Sequence, residues 1–139
     1  MNARNMIPHL PDMPERLAAS ALVNGEEAAW EQADCAAVIE WLRQASYAVL
    51  GFELWLSKEG GITTFINTLS DRVFYCASCD PHKDESWDDY VQRSARLATE
   101  GIAAFRWPED SIEGPDIAYF NLTWANREWF QARKEYMGS

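Results

Sequence analysis

Tyr47 to Ile66 is a largely apolar stretch, interrupted at Glu59-Gly60-Gly61, whose polar residues fall on one side of a period-two ladder in the first arm. That pattern predicts a long strand, a glycine turn and a returning strand. In the first arm Ala48, Leu50, Phe52, Leu54 and Leu56 share one face, and Tyr47, Val49, Gly51, Glu53 and Trp55 share the other. A wholly apolar face must be covered, so this hairpin is expected at the centre of the core. Its second face carries an acid and an indole two residues apart, and a strand serving only the core does not need Glu53 there.

The period changes on either side of the hairpin. From Asp34, a residue suited to an N-cap, Cys35, Val38, Ile39 and Leu42 recur at helical spacing and predict a helix ending near Ser46. Ser86-Trp-Asp-Asp89 has the form of a capping box and opens a long helix to about Phe105. Its buried stripe is expected to be Trp87, Tyr90, Val91, Leu97, Ala98, Gly101 and Ile102. Arg72 to Ser78 and Asp116 to Trp124 are β-prone, and Asn126 to Tyr136 reads as a closing helix. Before the hairpin, Pro8, Pro11 and Pro14 predict an extended arm over residues 1–13. A short helix follows from Arg16 to Val23, then a turn at Asn24-Gly25 and a solvated helical turn over Glu26 to Gln32. The sum is one α+β domain over residues 1–139. It has a mostly antiparallel sheet of about four strands and helices packed on at least one face.

Composition narrows the functional classes. The chain of 139 residues is 47% hydrophobic with seven tryptophans, enough for a real core. Its formal charge of −10 disfavours nucleic acid or an anionic membrane as the main partner and suits a basic protein. The acids are concentrated. Residues 80–89 carry Asp80, Asp84, Glu85, Asp88 and Asp89 against Lys83, and residues 107–116 carry Glu109, Asp110, Glu113 and Asp116 with no base. Three cysteines, no apolar leader at the N-terminus and no run of membrane-spanning length lead us to expect a cytoplasmic protein.

Candidate chemistry is thin. Cys76-Ala-Ser-Cys79 followed by His82 has the spacing of half a zinc site or of a redox pair. A closed metal site would need Cys35, which points to the core, or His9 on the arm. Cys79 with His82 is the best nucleophile–base pairing the chain offers. The plainer reading is two small thiols at a strand end, with no metal and no cofactor. Paired acids such as Asp88-Asp89 point about 100° apart on a helix and are better read as first-turn charges stabilised by the macrodipole. Trp55 is the indole expected to serve a partner, as an aromatic anchor beside Glu53; the competing reading has a second layer burying both.

The succession of helix 34–45, Ala48-Val-Leu-Gly-Phe-Glu-Leu-Trp55, the turn at Gly60-Gly61 and Ser86-Trp-Asp-Asp-Tyr-Val-Gln-Arg-Ser-Ala95 resembles a family of bacterial immunity proteins. These accompany polymorphic toxins of the contact-dependent or type VI-delivered kind. The resemblance runs from about Leu22 to Phe105, with Gly51, Glu53, Trp55, Gly61, Trp87 and Tyr90 as its markers. It implies a non-enzymatic cytoplasmic inhibitor that binds a cognate toxin domain. The charge agrees in sign with a basic, nuclease-type target. The expected contacts are Glu53, Trp55, Asp84, Glu85, Asp88, Asp89, Glu109, Asp110 and Glu113. An exposed strand or indole face also offers a route to a homodimer. The alternatives are a small metal- or thiol-dependent enzyme using Cys76, Cys79 and His82, or an acidic adaptor.

Overall fold

The computed structural model describes residues 13–24, 27–58, 61–63, 76–106 and 117–138. The expected arm lies outside them apart from Met13. The elements in chain order are α1 (Glu15–Ala19), β1 (Leu22–Asn24), β2 (Glu27–Glu31), α2 (Gln32–Gln44), β3 (Ala48–Lys58), β4 (Gly61–Thr63), β5 (Cys76–Ser78), α3 (Trp87–Ala103), β6 (Ile117–Ala125) and α4 (Arg127–Gly138). The class is α+β with an antiparallel sheet. The strand order is β1-β2-β6-β3-β4, and β5 also pairs with β3.

The two long strands, β3 and β6, form the middle of the sheet. They pair from Ala48 opposite Ala125 to Ser57 opposite Ile117. The ladder slips by one residue between Val49 and Gly51, which makes Leu50 the extra residue of a β-bulge. The slip corrects the simple two-face reading of this strand. Val49 now joins Leu54 and the half-buried Phe52 against Phe120, Leu122 and Trp124, while Ala48 and Leu50 join a separate cluster. Two backbone groups at the bulge find partners away from β6. Val49 N–H donates to Ser94 Oγ at 3.0 Å, and Leu50 C=O accepts from Cys79 N–H at 2.7 Å. Ser94 is fully buried for that reason.

One sheet face is covered by α2 and α3. Cys35, Val38, Ile39 and Leu42 of α2 and Ala95, Ala98 and Ile102 of α3 pack on Trp30, Val49, Leu54, Phe120, Leu122 and Trp124. The two helices run antiparallel. Gln32 Nε2, at the start of α2, donates to the carbonyls of Ile102 and Phe105 at the end of α3, and Arg43 Nη1 reaches Gln92 Oε1 at the other end. The Phe52 ring reaches α3 at Gly101, where a Cβ would stand 2.9 Å from its Cζ. Leu97, expected in the buried stripe, is 40% exposed, and Ser94 and Ala95 take that position instead.

Residues 27–31 correct a second expectation. Glu-Ala-Ala-Trp-Glu is a strand and not a helical turn: Ala29 pairs with both Leu22 and Asn121, and Trp30 enters the core 6.2 Å from the Trp124 ring. Trp30 Nε1 donates to Leu17 C=O at 2.8 Å, which ties α1 to the sheet. The predicted helix from Arg16 to Val23 accordingly stops at Ala19 and gives way to β1. The α2 N-cap is Glu31 instead of Asp34. Of the third strand expected over residues 72–78, Cys76–Ser78 is described as β5, and the rest lies outside the described residues.

Helix α2 ends in a Schellman motif. Tyr47 N–H donates to Leu42 C=O and Ser46 N–H to Arg43 C=O, with Ser46 at φ 66°. Glycine is the usual residue in this left-handed position. The serine there has a second contact: its Oγ accepts from Trp87 Nε1 at 3.0 Å, which joins the end of α2 to the start of α3.

Candidate partner-binding surface

Residues 79–89 leave the sheet at β5, cross to α3 and carry the first acidic concentration. The segment 79–86 has no regular secondary structure, yet side chains of α3 and α4 satisfy its backbone. Tyr90 Oη donates to Cys79 C=O at 2.6 Å, and Arg93 Nη2 to Asp80 C=O at 2.6 Å. Lys134 Nζ donates to the carbonyls of His82 and Glu85, each at 2.9 Å. Between those carbonyls lies a turn closed by Glu85 N–H donating to His82 C=O at 3.0 Å, with Lys83 and Asp84 at its tip. Beneath the segment, Tyr90, Trp87, Val91 and Phe130 form an aromatic cluster with Cys79 and Ala48. Tyr90 stacks on Phe130 at 5.5 Å between centroids. Burial pushes the Tyr90 phenol upward, which keeps it a donor.

The acids of this region divide into two kinds. Glu85 forms a two-pronged ion pair with Arg93, at 2.7 and 2.8 Å, and also accepts from His82 N–H. Those bonds, the Arg93 ones foremost, hold its carboxyl at about 2. Glu85 therefore shapes the loop. Asp84, Asp88 and Asp89 are exposed and have no ion-pair partner among the described residues. Asp88 and Asp89 occupy the first turn of α3, where Ser86 Oγ caps the helix by accepting from Asp89 N–H at 3.1 Å. The macrodipole makes that turn a low-cost place for negative charge.

The strand pair expected to face a partner is placed differently. Trp55 is only 3% exposed, and its Nε1 donates to Glu53 Oε1 at 3.3 Å. Glu53 is half-buried and stands opposite Asn121, which is itself buried with its Nδ2 donating to Ala28 C=O. The indole thus belongs to the interior and leaves Glu53 as the accessible member of the pair. Glu109, Asp110 and Glu113 lie outside the described residues.

A groove of about 710 Å³ runs between α2 and α3. Its charged lining is Glu40, Asp89 and Glu100 with Arg43, Arg93 and Arg96. These balance. Arg43 grips Glu40, whose carboxyl is held at about 2 mainly by the Arg43 hydrogen bonds; Arg93 pairs with Glu85 and Arg96 with Glu100.

The thiols do not assemble a site among the described residues. Cys79 is buried and its thiol pushed upward by that burial, the opposite of what a nucleophile needs. His82 is exposed, and what the fold uses of it is its backbone. Cys35 is pushed up to about 12 by burial and by Asp34. No group of three or more His, Cys, Asp or Glu among the described residues is placed to hold a metal ion. None of the described helices is long and apolar enough to cross a membrane.

A family model described as immunity protein 40 matches residues 19–123, three quarters of the chain. The chain belongs to that family. The match runs from the end of α1 into β6, so it takes in both central strands, the bulge, the 79–86 loop and all of α3. Helix α4, whose Lys134 holds the loop, lies beyond the matched residues. No curated protein and no solved structure matches. As an immunity protein of this family the chain has a toxin as its implied partner, and the family suggests a binder, not an enzyme.

Proposed function

We propose that this chain is a cytoplasmic immunity protein that binds a cognate toxin domain of a polymorphic, contact-dependent or type VI-delivered system, and neutralises it without catalysis. The observation that carries the reading is family membership joined to a hydrogen-bonded loop and helix start whose outward acids have no ion-pair partner among the described residues. Asp84, Asp88 and Asp89, together with Glu53 and the acids Glu109, Asp110 and Glu113, are the contacts we assign to it. A basic partner such as a nuclease domain is the complement of that surface, since opposite potentials steer encounter and reject wrong partners. Glu85 and Trp55 act behind the surface by holding its shape.

The test is co-expression. Growth arrest caused by the toxin domain encoded beside this gene should be relieved by this chain and not by an immunity protein from an unrelated pair. Failure to relieve it, with a purified mixture of the two showing no complex, removes the reading. The thiol-enzyme reading loses support because the Cys79 sulfur is buried and hard to ionise. The adaptor reading predicts a basic partner that is not toxic, which the same co-expression distinguishes.

A further inference from the structure

The segment 79–86 presents an irregular backbone that would ordinarily depend on water for its hydrogen bonds. Here one ammonium group, reaching from a helix almost fifty residues away, closes it. Lys134 Nζ sits 2.9 Å from both the His82 and the Glu85 carbonyl, the two ends of the turn that carries Asp84. Its position is fixed in turn by Phe130, whose ring centroid is 5.4 Å from Nζ, and by the packing of that ring on Trp87 and Tyr90. On the same helix Arg133 stands 3.8 Å from the Asp80 carboxylate. A lysine spent on two backbone carbonyls in a strongly acidic protein is an unusual use of a cation. Its effect is to set the shape of a turn whose Asp84 is exposed and has no ion-pair partner among the described residues.

We propose that Lys134 is a positioning residue: from the C-terminal helix, outside the family-matched residues, it fixes the 82–85 turn that presents Asp84 to the partner. The clamp itself stands on the geometry above. Its consequence for binding rests on the toxin-binding reading. Charge and position predict opposite signs for the same substitution, which makes the two separable. Lys134→Met keeps the alkyl chain near Phe130, removes both hydrogen bonds, and takes the formal charge from −10 to −11. A pure charge effect would speed association with a basic partner. Loss of positioning weakens binding, because the turn must be ordered at the moment of contact.

The experiment uses the full chain and two readouts. In hydrogen exchange, Lys134→Met should raise amide exchange across residues 80–86 at least about tenfold while the denaturation midpoint stays close to wild type. In binding to the catalytically inactivated toxin domain from the adjacent coding region, it should weaken affinity about five- to tenfold, chiefly through faster dissociation. Arg127→Met, on the same helix and exposed, makes the same charge change and should leave loop exchange unaltered. Unchanged exchange in Lys134→Met overturns the clamp. Faster exchange with unchanged or tighter toxin binding overturns the positioning role and leaves toxin binding itself intact. A toxin domain that does not bind wild type at all removes the functional reading, while the exchange result still decides the clamp.

Discussion

The Glu85–Arg93 pair gives the most direct test of how the acidic loop is held. Replacing Glu85 with Gln keeps the side chain's shape and an oxygen for His82 N–H, and removes the charge and the acceptor that faced Arg93 Nε. The carboxyl is lowered from an ordinary 4.5 to about 2, with the Arg93 hydrogen bonds as the largest cause. At full strength that displacement is worth about 3 kcal/mol. The pair is largely but not wholly covered, with the Arg93 side chain 19% exposed, so partial solvent screening leaves about 1–2 kcal/mol as the expected cost at pH 7. Because the folded value is the depressed one, the contribution is fully present above pH 4.5 and drains away as pH falls towards 2. Urea denaturation followed by tryptophan fluorescence at pH 7, 5, 4 and 3 measures it. The midpoint gap between wild type and Glu85→Gln should be about 0.5–1 M at pH 7 and 5. At pH 4 and 3 it should narrow step by step. A gap that is absent at pH 7, or one that persists undiminished at pH 3, would show that the ionised pair does not hold the loop.

Three further experiments probe the frame and the surface. Ser94→Ala leaves the Val49 N–H beside the bulge buried without an acceptor and should cost about 1–3 kcal/mol in chemical denaturation, against a few tenths for an exposed serine such as Ser78. Gly101→Ala should destabilise in the wild-type background because the new methyl meets Phe52 Cζ at 2.9 Å. With Phe52→Leu already in place it should stabilise by up to about 1 kcal/mol, the helix-propensity gain over glycine, and a cycle of the four proteins reads that reversal of sign. Combining Asp84→Asn, Asp88→Asn and Asp89→Asn should slow association with the toxin domain several-fold at low ionic strength. The difference should shrink in 0.5 M salt as the Debye length shortens, and a salt-independent deficit in stopped-flow traces would count against steering.

Much of the frame was legible from periodicity. Val38, Ile39 and Leu42 lie on the core as their spacing requires, Ser86 caps α3, and β3 pairs with β4 as a hairpin with Lys58 opposite Gly61. What escaped had physical reasons. Glu27 to Glu31 is built of residues with good helix propensity, and only the pairing of Ala29 on both sides and the insertion of Trp30 beside Trp124 make it a strand. The bulge at Leu50 left no mark because an extra residue in an apolar run looks like one more apolar residue. For the site, the region was readable from charge and the roles were not. Glu85 and Asp84 are neighbours of one type, and their difference lies in Arg93, eight residues on, and in Lys134 at the far end of the chain. Trp55 shared its strand face with an acid, which suggested exposure; its indole is instead buried and donates to that acid.

That division of the acids bears on why the functional reading favours this loop over the α2–α3 groove. Negative charge kept only for solubility can be spread anywhere, and paired wherever arginine is at hand. In the groove each arginine has an acid for a partner, at Arg43–Glu40, Arg93–Glu85 and Arg96–Glu100, and Asp89 at its edge is the acid shared with the loop surface. Around the 82–85 turn Lys134 and Arg93 are committed inward instead, while Lys83 stands exposed at the tip. Lys134 is spent on carbonyls, Arg93 on Glu85 and the Asp80 backbone, and the α3 dipole offsets the crowding of Asp88 and Asp89. The carboxylates left over project from a backbone that is already ordered, so a basic partner meets them without first having to freeze the loop. A fold that needed only to stay dissolved would gain nothing from ordering that backbone with two of its twelve cations. One that must recognise a particular surface gains both speed of encounter and a defined shape to fit.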